Sequence, residues 1–359
     1  MIIAIAFFSL ITLIIIHELG HFLAAKKFGI KVEEFGIGYP PRIFGKKIGE
    51  TIYSLNLLPF GAFVKIYGHG KRIDSPRSIS TKPIWQRAFV VLGGVITFWI
   101  VAAVLLSIVM GLGVPTVVED AESGLVDPKV QIVAVSSGSP AERIELQIGD
   151  IVRKIKQQGL EAKSIDKVRE LQEFIEASKG EEIILTIQRG KNIFDVSLVP
   201  RMSPPEDEGP MGVALLRTAL ESYPWYQAPI KGVIATGNLT LMILDAWRST
   251  IVSLFRGEGV PPGVEVRGIV GIFELFAQAG GMGISYFLQF IAIIAVSLAL
   301  LNVLPIPALD GGWFLLLIIE KLRGKPIKEK TEQVINSTFF ILLILLMVWV
   351  TIKDVARFF

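Results

Sequence analysis

Cysteine is absent from this chain of 359 residues, and histidine occurs only three times. Without cysteine, the chain can form neither a disulfide nor a metal site with thiolate ligands. Any bound metal ion must therefore be held by histidine and carboxylate side chains. The formal net charge is only +3, which gives no reason to expect a nucleic-acid partner.

Charged residues are also missing from four long runs. Hydrophobic residues make up 52% of the sequence and are concentrated in these runs. Each run approaches or exceeds the ~20 residues that a helix needs to cross a bilayer. The sequence therefore predicts a polytopic α-helical membrane protein with four transmembrane helices. The runs are residues 2–16, continuing as helix to residue 25, and residues 88–118, 275–309 and 333–352.

The basic residues indicate how the chain is oriented. Lys26 and Lys27 follow the first run rather than precede it, so this run is expected to be a retained helix and not a cleaved signal. Residues 25–86 hold 11 Lys and Arg against 4 Asp and Glu, whereas residues 115–228 hold 13 basic and 19 acidic residues. Residues 320–335 are basic again. The positive-inside rule therefore places 25–86 and 320–335 in the cytoplasm and the long insert outside.

The insert reads as a small α/β domain in residues 115–217. Alternating apolar residues predict strands, and apolar residues at helical spacing predict helices. The predicted strands are 130–135, 151–155, 182–188, 193–199 and 211–215, with a short helix after Pro140 and a longer one over 166–178. Residues 189–192 are predicted to form a turn and residues 203–210 a loop.

Residues 218–283 form a third segment between this domain and the C-terminal membrane core, residues 284–359. Within it, residues 225–255 are apolar enough to suggest another crossing, but the run contains Lys231 and Asp245. An extra crossing would also place every later segment of the chain on the opposite side of the membrane. We therefore predict an amphipathic helix at the outer membrane surface, and an N-terminal membrane core in residues 1–114.

Two of the three histidines lie in His17-Glu18-Leu19-Gly20-His21, at the end of the first apolar run. On a helix, residues four apart face the same way, so His17 and His21 can bind one ion while Glu18 lies beside it as a base. The pattern also occurs by chance in soluble helices. In a membrane helix, however, polar side chains are costly unless they are paired or functional, which favours a metal site.

A catalytic zinc ion usually has three protein ligands, and Asp310 is the candidate for the third. It is the only charged residue between Glu274 and Glu320. Pro305 and Pro307 precede it and predict unwound backbone, which is tolerated at membrane depth only inside protein or beside a polar cavity. The alternative is that Asp310 marks only a loop at a helix end. Counting the predicted membrane crossings places Asp310 near the cytoplasmic end of its helix. The two histidines lie at the same depth on theirs.

These motifs resemble the bacterial site-2 protease family, of the regulator of sigma-E protease type with a single PDZ domain. The resemblance rests on the His17 to His21 pattern, on Leu309-Asp310-Gly311 behind Asn302-x-x-Pro305-x-Pro307, and on the insert, where Ser139-Pro140-Ala141 and Gly149-Asp150 are typical of bacterial PDZ domains. It implies one zinc ion per chain, held by His17, His21 and Asp310. It also implies a multi-pass protein of the bacterial inner membrane that cleaves single-pass membrane proteins already shortened by another protease.

The resemblance extends to candidate substrate-binding residues. Residues 35–38 and 58–65 are similar to the family's membrane-re-entrant β hairpin, which holds the substrate as an added strand. The candidates there are Gly61, Ala62, Phe63 and Val64, and Asn302, Pro305 and Pro307 are candidates for binding the substrate backbone.

The chain departs from the family pattern at three positions. In the second span, Gly94 stands where relatives usually have Pro and Thr97 where they have Asn, and Trp313 stands where many have His. His69 is expected to be a loop residue. Two other functions stay open at this point, namely a membrane-anchored PDZ adaptor with a vestigial metal site, and a metal transporter with polar residues along an ion path.

Overall fold

The computed structural model describes residues 2–157, 161–190, 192–205, 208–260 and 268–356. The chain divides into two compact units, which are described separately. The first contains Met1–Leu106, Gly232–Phe276 and Phe290–Phe359, and the second contains Ser107–Lys231 and Ala277–Gln289. The division into residues 1–114, 115–217, 218–283 and 284–359 stays a prediction.

The described residues form helices and strands in the following order. The N-terminal part contains α1 (Ile2–Lys27), β1 (Val32–Ile48), β2 (Thr51–Ile66) and α2 (Ile84–Leu112). The insert contains β3 (Val114–Val117), β4 (Lys129–Val135), α3 (Pro140–Arg143), β5 (Ile151–Gln157), β6 (Lys163–Ser164), α4 (Val168–Ala177), β7 (Ile183–Arg189), β8 (Asn192–Leu198) and β9 (Val213–Glu221). The C-terminal part contains α5 (Ala228–Phe255), α6 (Ile269–Met282), α7 (Ile284–Val303), α8 (Asp310–Arg323) and α9 (Glu329–Ala356).

Four of the described helices are long and apolar enough to cross a membrane, namely α1, α2, α7 and α9. This confirms the four predicted spans. The helix α5 is not among the four, and it occupies most of the segment predicted to be an amphipathic helix.

The third predicted span, residues 275–309, differs in detail. The structure divides it into α6 and α7, with Gly283 between them at a φ of +128°. Such a φ is accessible to glycine but strained for other residues, so the helix is interrupted there. The chain then unwinds after Val303 and begins α8 at Asp310, a helix that the sequence analysis did not predict.

The strands β1 and β2 form a hairpin that curls on itself. Phe35 pairs with Val64 on one side and with Tyr53 on the other, so the start of β1 lies between the two halves of β2. The last residues of β2 therefore form one edge of a small antiparallel sheet. This sheet packs against the C-terminal end of α1 and the N-terminal half of α2 through a buried cluster of Ala24, Ala25, Ile30, Val32, Ile66, Ile79 and Val90.

In the second unit, the strands form an antiparallel sheet in the order β3-β9-β4-β5-β7-β8, with β6 paired to β5. Its core contains side chains from the sheet and from α3 and α4, including Ile132, Leu171 and Ile187. The predicted last strand, residues 211–215, was misplaced: β9 begins at Val213 and continues to Glu221 because β3 pairs with its second half. The predicted turn 189–192 and loop 203–210 lie partly outside the described residues.

Candidate metal centre

The helix α1 supplies the two histidines of the candidate centre, and α2 fixes the orientation of both rings. His17 and His21 are buried, with 8% and 7% of their surface exposed. The ring of His17 stacks on Phe98 with a centroid distance of 4.6 Å. The Nδ1 atom of His21 lies 2.9 Å from the carbonyl oxygen of Val90, within hydrogen-bond distance. This contact leaves Nε2 of His21 to face the centre, because a hydrogen bond from one ring nitrogen of a metal-binding histidine fixes the orientation of the other.

Two glycines of α2 allow this close approach. A Cβ atom on Gly94 would lie 2.4 Å from Nε2 of His21 and 2.6 Å from Cε1 of His17. A Cβ atom on Gly93 would lie 2.8 Å from the carbonyl oxygen of Gly20 on α1. At distances below 3.0 Å the facing atoms would have to shift, so glycine at these two positions lets the helices and the imidazole rings pack as closely as they do.

Asp310 is the first residue of α8, and the loop that precedes it packs against the first turn of this helix. A Cβ atom on Gly311 would lie 2.2 Å from two carbonyl oxygens, those of Val303 and Leu304, and one on Gly312 would lie 2.3 Å from the carbonyl oxygen of Ile306. The two glycines after Asp310 therefore let the unwound segment 304–309 pack against the first turn of α8. Pro305 and Pro307 lie in this segment, as the sequence analysis predicted.

The three candidate ligand atoms form a nearly equilateral triangle. Nε2 of His17 and Nε2 of His21 each lie 3.4 Å from Oδ2 of Asp310, and they lie 3.3 Å from each other. Zinc bonds to nitrogen and oxygen of about 2.0–2.2 Å in a tetrahedral site place ligand atoms about 3.3–3.5 Å apart. Ordinary charge-assisted hydrogen bonds would be shorter, at about 2.7–2.9 Å. The spacing therefore fits three ligands of one ion better than a set of direct hydrogen bonds.

The hydrogen bonds of the buried polar atoms also support a bound metal ion. Within the described part of the chain, the buried atoms Nδ1 of His17 and Oδ2 of Asp310 have no hydrogen-bond partner. An unpartnered carboxylate oxygen inside a protein is costly, and a metal ion between the three side chains would satisfy it. The donor set of two imidazoles and one carboxylate also suits zinc, and it matches a catalytic site that keeps a fourth position open.

A cavity of about 220 Å³ opens beside these residues. Its lining includes Glu18, His21 and Asp310, together with Ala62, Phe63 and Val64 from the edge segment of β2. The structure therefore brings the candidate base and part of the hairpin to the candidate ligands.

The other predicted substrate-binding residues do not line this cavity in the described structure. Gly61 lies next to it with a φ of +93°, where a Cβ atom would lie 3.1 Å from the ring of Tyr39. Asn302 donates from Nδ2 to the carbonyl oxygen of Leu298 on its own helix, at 2.9 Å. Pro305 and Pro307 shape the loop before Asp310, whose Ala308 reaches the cavity.

Among the side chains that line the cavity, sequence reasoning missed three that carry rings. Tyr39 stacks on Phe63 with a centroid distance of 6.3 Å. His69, expected only to be a loop residue, lies in the loop after β2 with its ring 4.2 Å from the ring of Trp313. The position of Trp313 at the site could have been predicted, because a residue three positions after Asp310 on a helix lies on the same face. Tyr39 and His69 gave no local signal, since the curl of the hairpin brings them there.

Comparison with known proteins places these residues in a family context. The model of peptidase family M50 matches residues 5–346. A Clostridium perfringens protein named as a zinc metalloprotease is 34% identical over 96% of this chain and 95% of its own length. The regulator of sigma-W protease RasP of Bacillus subtilis is 26% identical over 97% of this chain and 96% of its own. A chloroplast membrane metalloprotease of Arabidopsis thaliana, ARASP, is 29% identical over 96% of this chain and 76% of its own.

Proposed function

The chain belongs to peptidase family M50, the site-2 family of zinc metalloproteases, and we propose that it cleaves transmembrane segments of single-pass membrane proteins after another protease has shortened them. It is a multi-pass membrane protein and its cofactor is zinc. The observation that carries the proposal is the triangle of His17, His21 and Asp310, with Glu18 on the wall of the adjoining cavity. These three residues would hold the zinc ion.

When bound there, zinc would polarise the scissile carbonyl and lower the pKa of a bound water to ~7. Glu18 lies next to His17 in sequence and lines the cavity in which a substrate carbonyl would lie. Its carboxylate takes the proton of the attacking water and returns it to the leaving amine, which is general acid–base catalysis. The other side chains that line the cavity are mostly apolar, including Ile66, Val90 and Val91. They limit the access of additional water molecules to the reacting groups.

The curled hairpin presents the substrate in this proposal. A transmembrane helix must unwind before one of its peptide bonds can be attacked, and its freed backbone groups then need partners. The last segment of β2, with Ala62, Phe63 and Val64, is an edge of the sheet and lines the cavity. An extended substrate added to this edge would satisfy its backbone groups beside Glu18. The hairpin therefore acts as the membrane-re-entrant element of the enzyme.

The domain in residues 115–217 serves in this proposal as an extracytoplasmic PDZ-like module that limits access to the membrane core. Its antiparallel sheet with two short helices, and Ser139 as the N-cap of α3, support the assignment. The basic loops support a position of the metal centre near the cytoplasmic face of the bacterial inner membrane. The intact ligand triangle argues against a PDZ adaptor with a vestigial metal site, and its convergence at one point argues against an ion path.

The test uses purified protein in lipid vesicles with two versions of one single-pass substrate, one full-length and one lacking its ectodomain. We expect cleavage of the shortened version inside its transmembrane segment, loss of cleavage with a zinc chelator, and recovery when zinc is added back. Mass spectrometry of the products locates the cut. Cleavage only outside the membrane, or equal cleavage of both versions, would contradict the proposed substrate class.

A further inference from the structure

The loop before Asp310 contains a residue in an unfavourable backbone conformation. Ala308 has a φ of +77°, in the left-handed region that non-glycine residues rarely adopt. It lies two residues before Asp310 and lines the cavity of the metal centre. Such a conformation persists only where surrounding contacts hold it. The contacts of Ala308 therefore help to decide where Asp310 points.

One of these contacts comes from the fourth membrane helix. The backbone N–H of Ala308 donates a hydrogen bond to Oδ1 of Asn336, with a distance of 3.2 Å. Asn336 lies in the second turn of α9 and is half-buried. No family motif in the sequence analysis includes it, and it lies 26 residues after Asp310.

The same face of α9 also contacts the loop after β2. Oε1 of Glu329 accepts a hydrogen bond from the N–H of Arg72 at 2.5 Å, and Nε2 of Gln333 donates to the carbonyl oxygen of Gly70 at 3.2 Å. Glu329, Gln333 and Asn336 are spaced by four and three residues, so they share one helix face. This face contacts both the loop that carries His69 and the loop that carries Asp310.

We propose that Asn336 is a positioning residue for the metal centre, which fixes Ala308 and thereby holds Oδ2 of Asp310 in place between the two histidines. The inference rests on the proposed function, because it takes Asp310 as a zinc ligand. Asn336 itself does not contact the ligand atoms. It acts on the backbone two residues away, in the manner of the outer contacts that orient metal ligands in other proteins.

The test compares zinc affinity, measured by chelator competition, with kcat and KM on a shortened substrate. Asn336→Ala removes the acceptor and should weaken zinc binding about 10-fold or more, within the range for outer-shell contacts. It should also lower kcat with little change in KM, because the substrate edge of β2 is untouched. Asn336→Asp keeps an acceptor oxygen at the same reach and should retain most of the zinc affinity. Thr338→Ala, an exposed neighbour on α9, should behave as wild type.

Two results would overturn the inference. One is wild-type zinc affinity in Asn336→Ala, and the other is equal loss in Asn336→Asp and Asn336→Ala. Should Asn336→Ala fail to fold, Asn336→Gln, which displaces the acceptor by one methylene, should bind zinc more weakly than Asn336→Asp. Asp310→Ala tests the ligand set separately from Asn336. If this variant keeps full zinc affinity, the proposed ligand set fails, whatever Asn336 does.

Discussion

At the scale of single residues, the metal centre depends as much on side chains that are absent as on the ligands themselves. Gly94 leaves the space that both imidazole rings occupy, and Gly311 and Gly312 leave the space through which the backbone before Asp310 passes. The three ligand atoms can approach to within 3.4 Å because these glycines have no Cβ atom.

Gly94 gives the first prediction. Gly94→Ala should reduce both zinc content and peptidase activity, because the new Cβ atom would lie 2.4 Å from Nε2 of His21. Gly111→Ala on the same helix is the matched control, since the nearest atom that its Cβ would meet outside its own helix, among the described residues, is the Cβ of Ala228 at 3.9 Å. Metal analysis of the two purified proteins checks the prediction. Full zinc content in Gly94→Ala would show that the histidines do not use the space at this glycine.

Glu18 gives the second prediction. Glu18→Gln should leave zinc bound but reduce cleavage at least ~100-fold, because an amide of similar shape cannot take up the proton of the attacking water. Zinc content and turnover are measured on the same preparation. Turnover close to that of the wild type would remove Glu18 from the mechanism.

The sequence predicted those site residues whose chemistry is local. His17, Glu18 and His21 lie within one helical turn, and Asp310 is conspicuous because no other charge occurs nearby in the chain. Tyr39, His69 and Asn336 could not be predicted in this way. Each reaches the cavity or its loops through contacts between elements distant in sequence, and an isolated polar residue on a strand, loop or helix gives no signal of such contacts.

At the scale of elements, the carboxylate of Asp354, near the end of α9, caps the first turn of α6. Asp354 is only 3% exposed, and its Oδ2 accepts a hydrogen bond from the N–H of Gly271 in the first turn of α6, at 3.0 Å. A carboxylate in this position both partners a free N–H group and interacts favourably with the helix dipole.

This contact gives the third prediction. Asp354→Ala should destabilise the protein by about 1–2 kcal/mol, because it removes the cap and leaves a buried N–H without a partner. Asp354→Asn keeps an acceptor oxygen and should cost less. Thermal unfolding in detergent measures both, with Val355→Ala at the exposed neighbouring position as the control. Equal melting temperatures for Asp354→Ala and wild type would contradict a capping role.

Elements that are short apolar runs between turn residues were predictable, and those that depend on interruptions or distant pairing were not. The strands β4, β5, β7 and β8 are such short runs, rich in Val, Ile and Leu, and the structure has them within two residues of the predicted bounds. By contrast, β3 lies within residues 88–118, an apolar run that predicts only a membrane helix. The curl of β1 and β2 arises because Phe35 finds partners on both sides, which no local pattern specifies.

At the scale of the whole molecule, orientation in the membrane gives the fourth prediction. The chain lacks cysteine, so single cysteines can be introduced and labelled without background. In intact cells, an impermeant thiol reagent should modify Ser164→Cys, in the exposed strand β6, and spare Ser75→Cys, in the loop between β2 and α2. Both should be modified once the cells are opened. The reverse pattern in intact cells would invert the proposed topology.

The fifth prediction concerns the role of the domain inserted between α2 and α5. This domain could exclude substrates with bulky ectodomains by size, or it could recruit shortened substrates by binding their new C-termini beside β9. We favour exclusion. The structure allows a clean deletion, because Val114 and Glu221 are paired residues of β3 and β9, and such pairs have Cα atoms only about 5 Å apart. A short glycine and serine linker can therefore replace Val114 to Glu221.

The two roles give opposite results in this deletion variant. If the domain is a filter, the variant should cleave a full-length substrate that the intact protein leaves uncut, and should still cleave the shortened one. If the domain is a receptor, cleavage of the shortened substrate should fall and the full-length one should stay uncut. The same deletion combined with Glu18→Gln controls for contaminating proteases. Reduced cleavage of the shortened substrate, with the full-length one still uncut, by a variant that is folded and loaded with zinc would rule out the filter, because removing an obstacle cannot slow a substrate that already passes it.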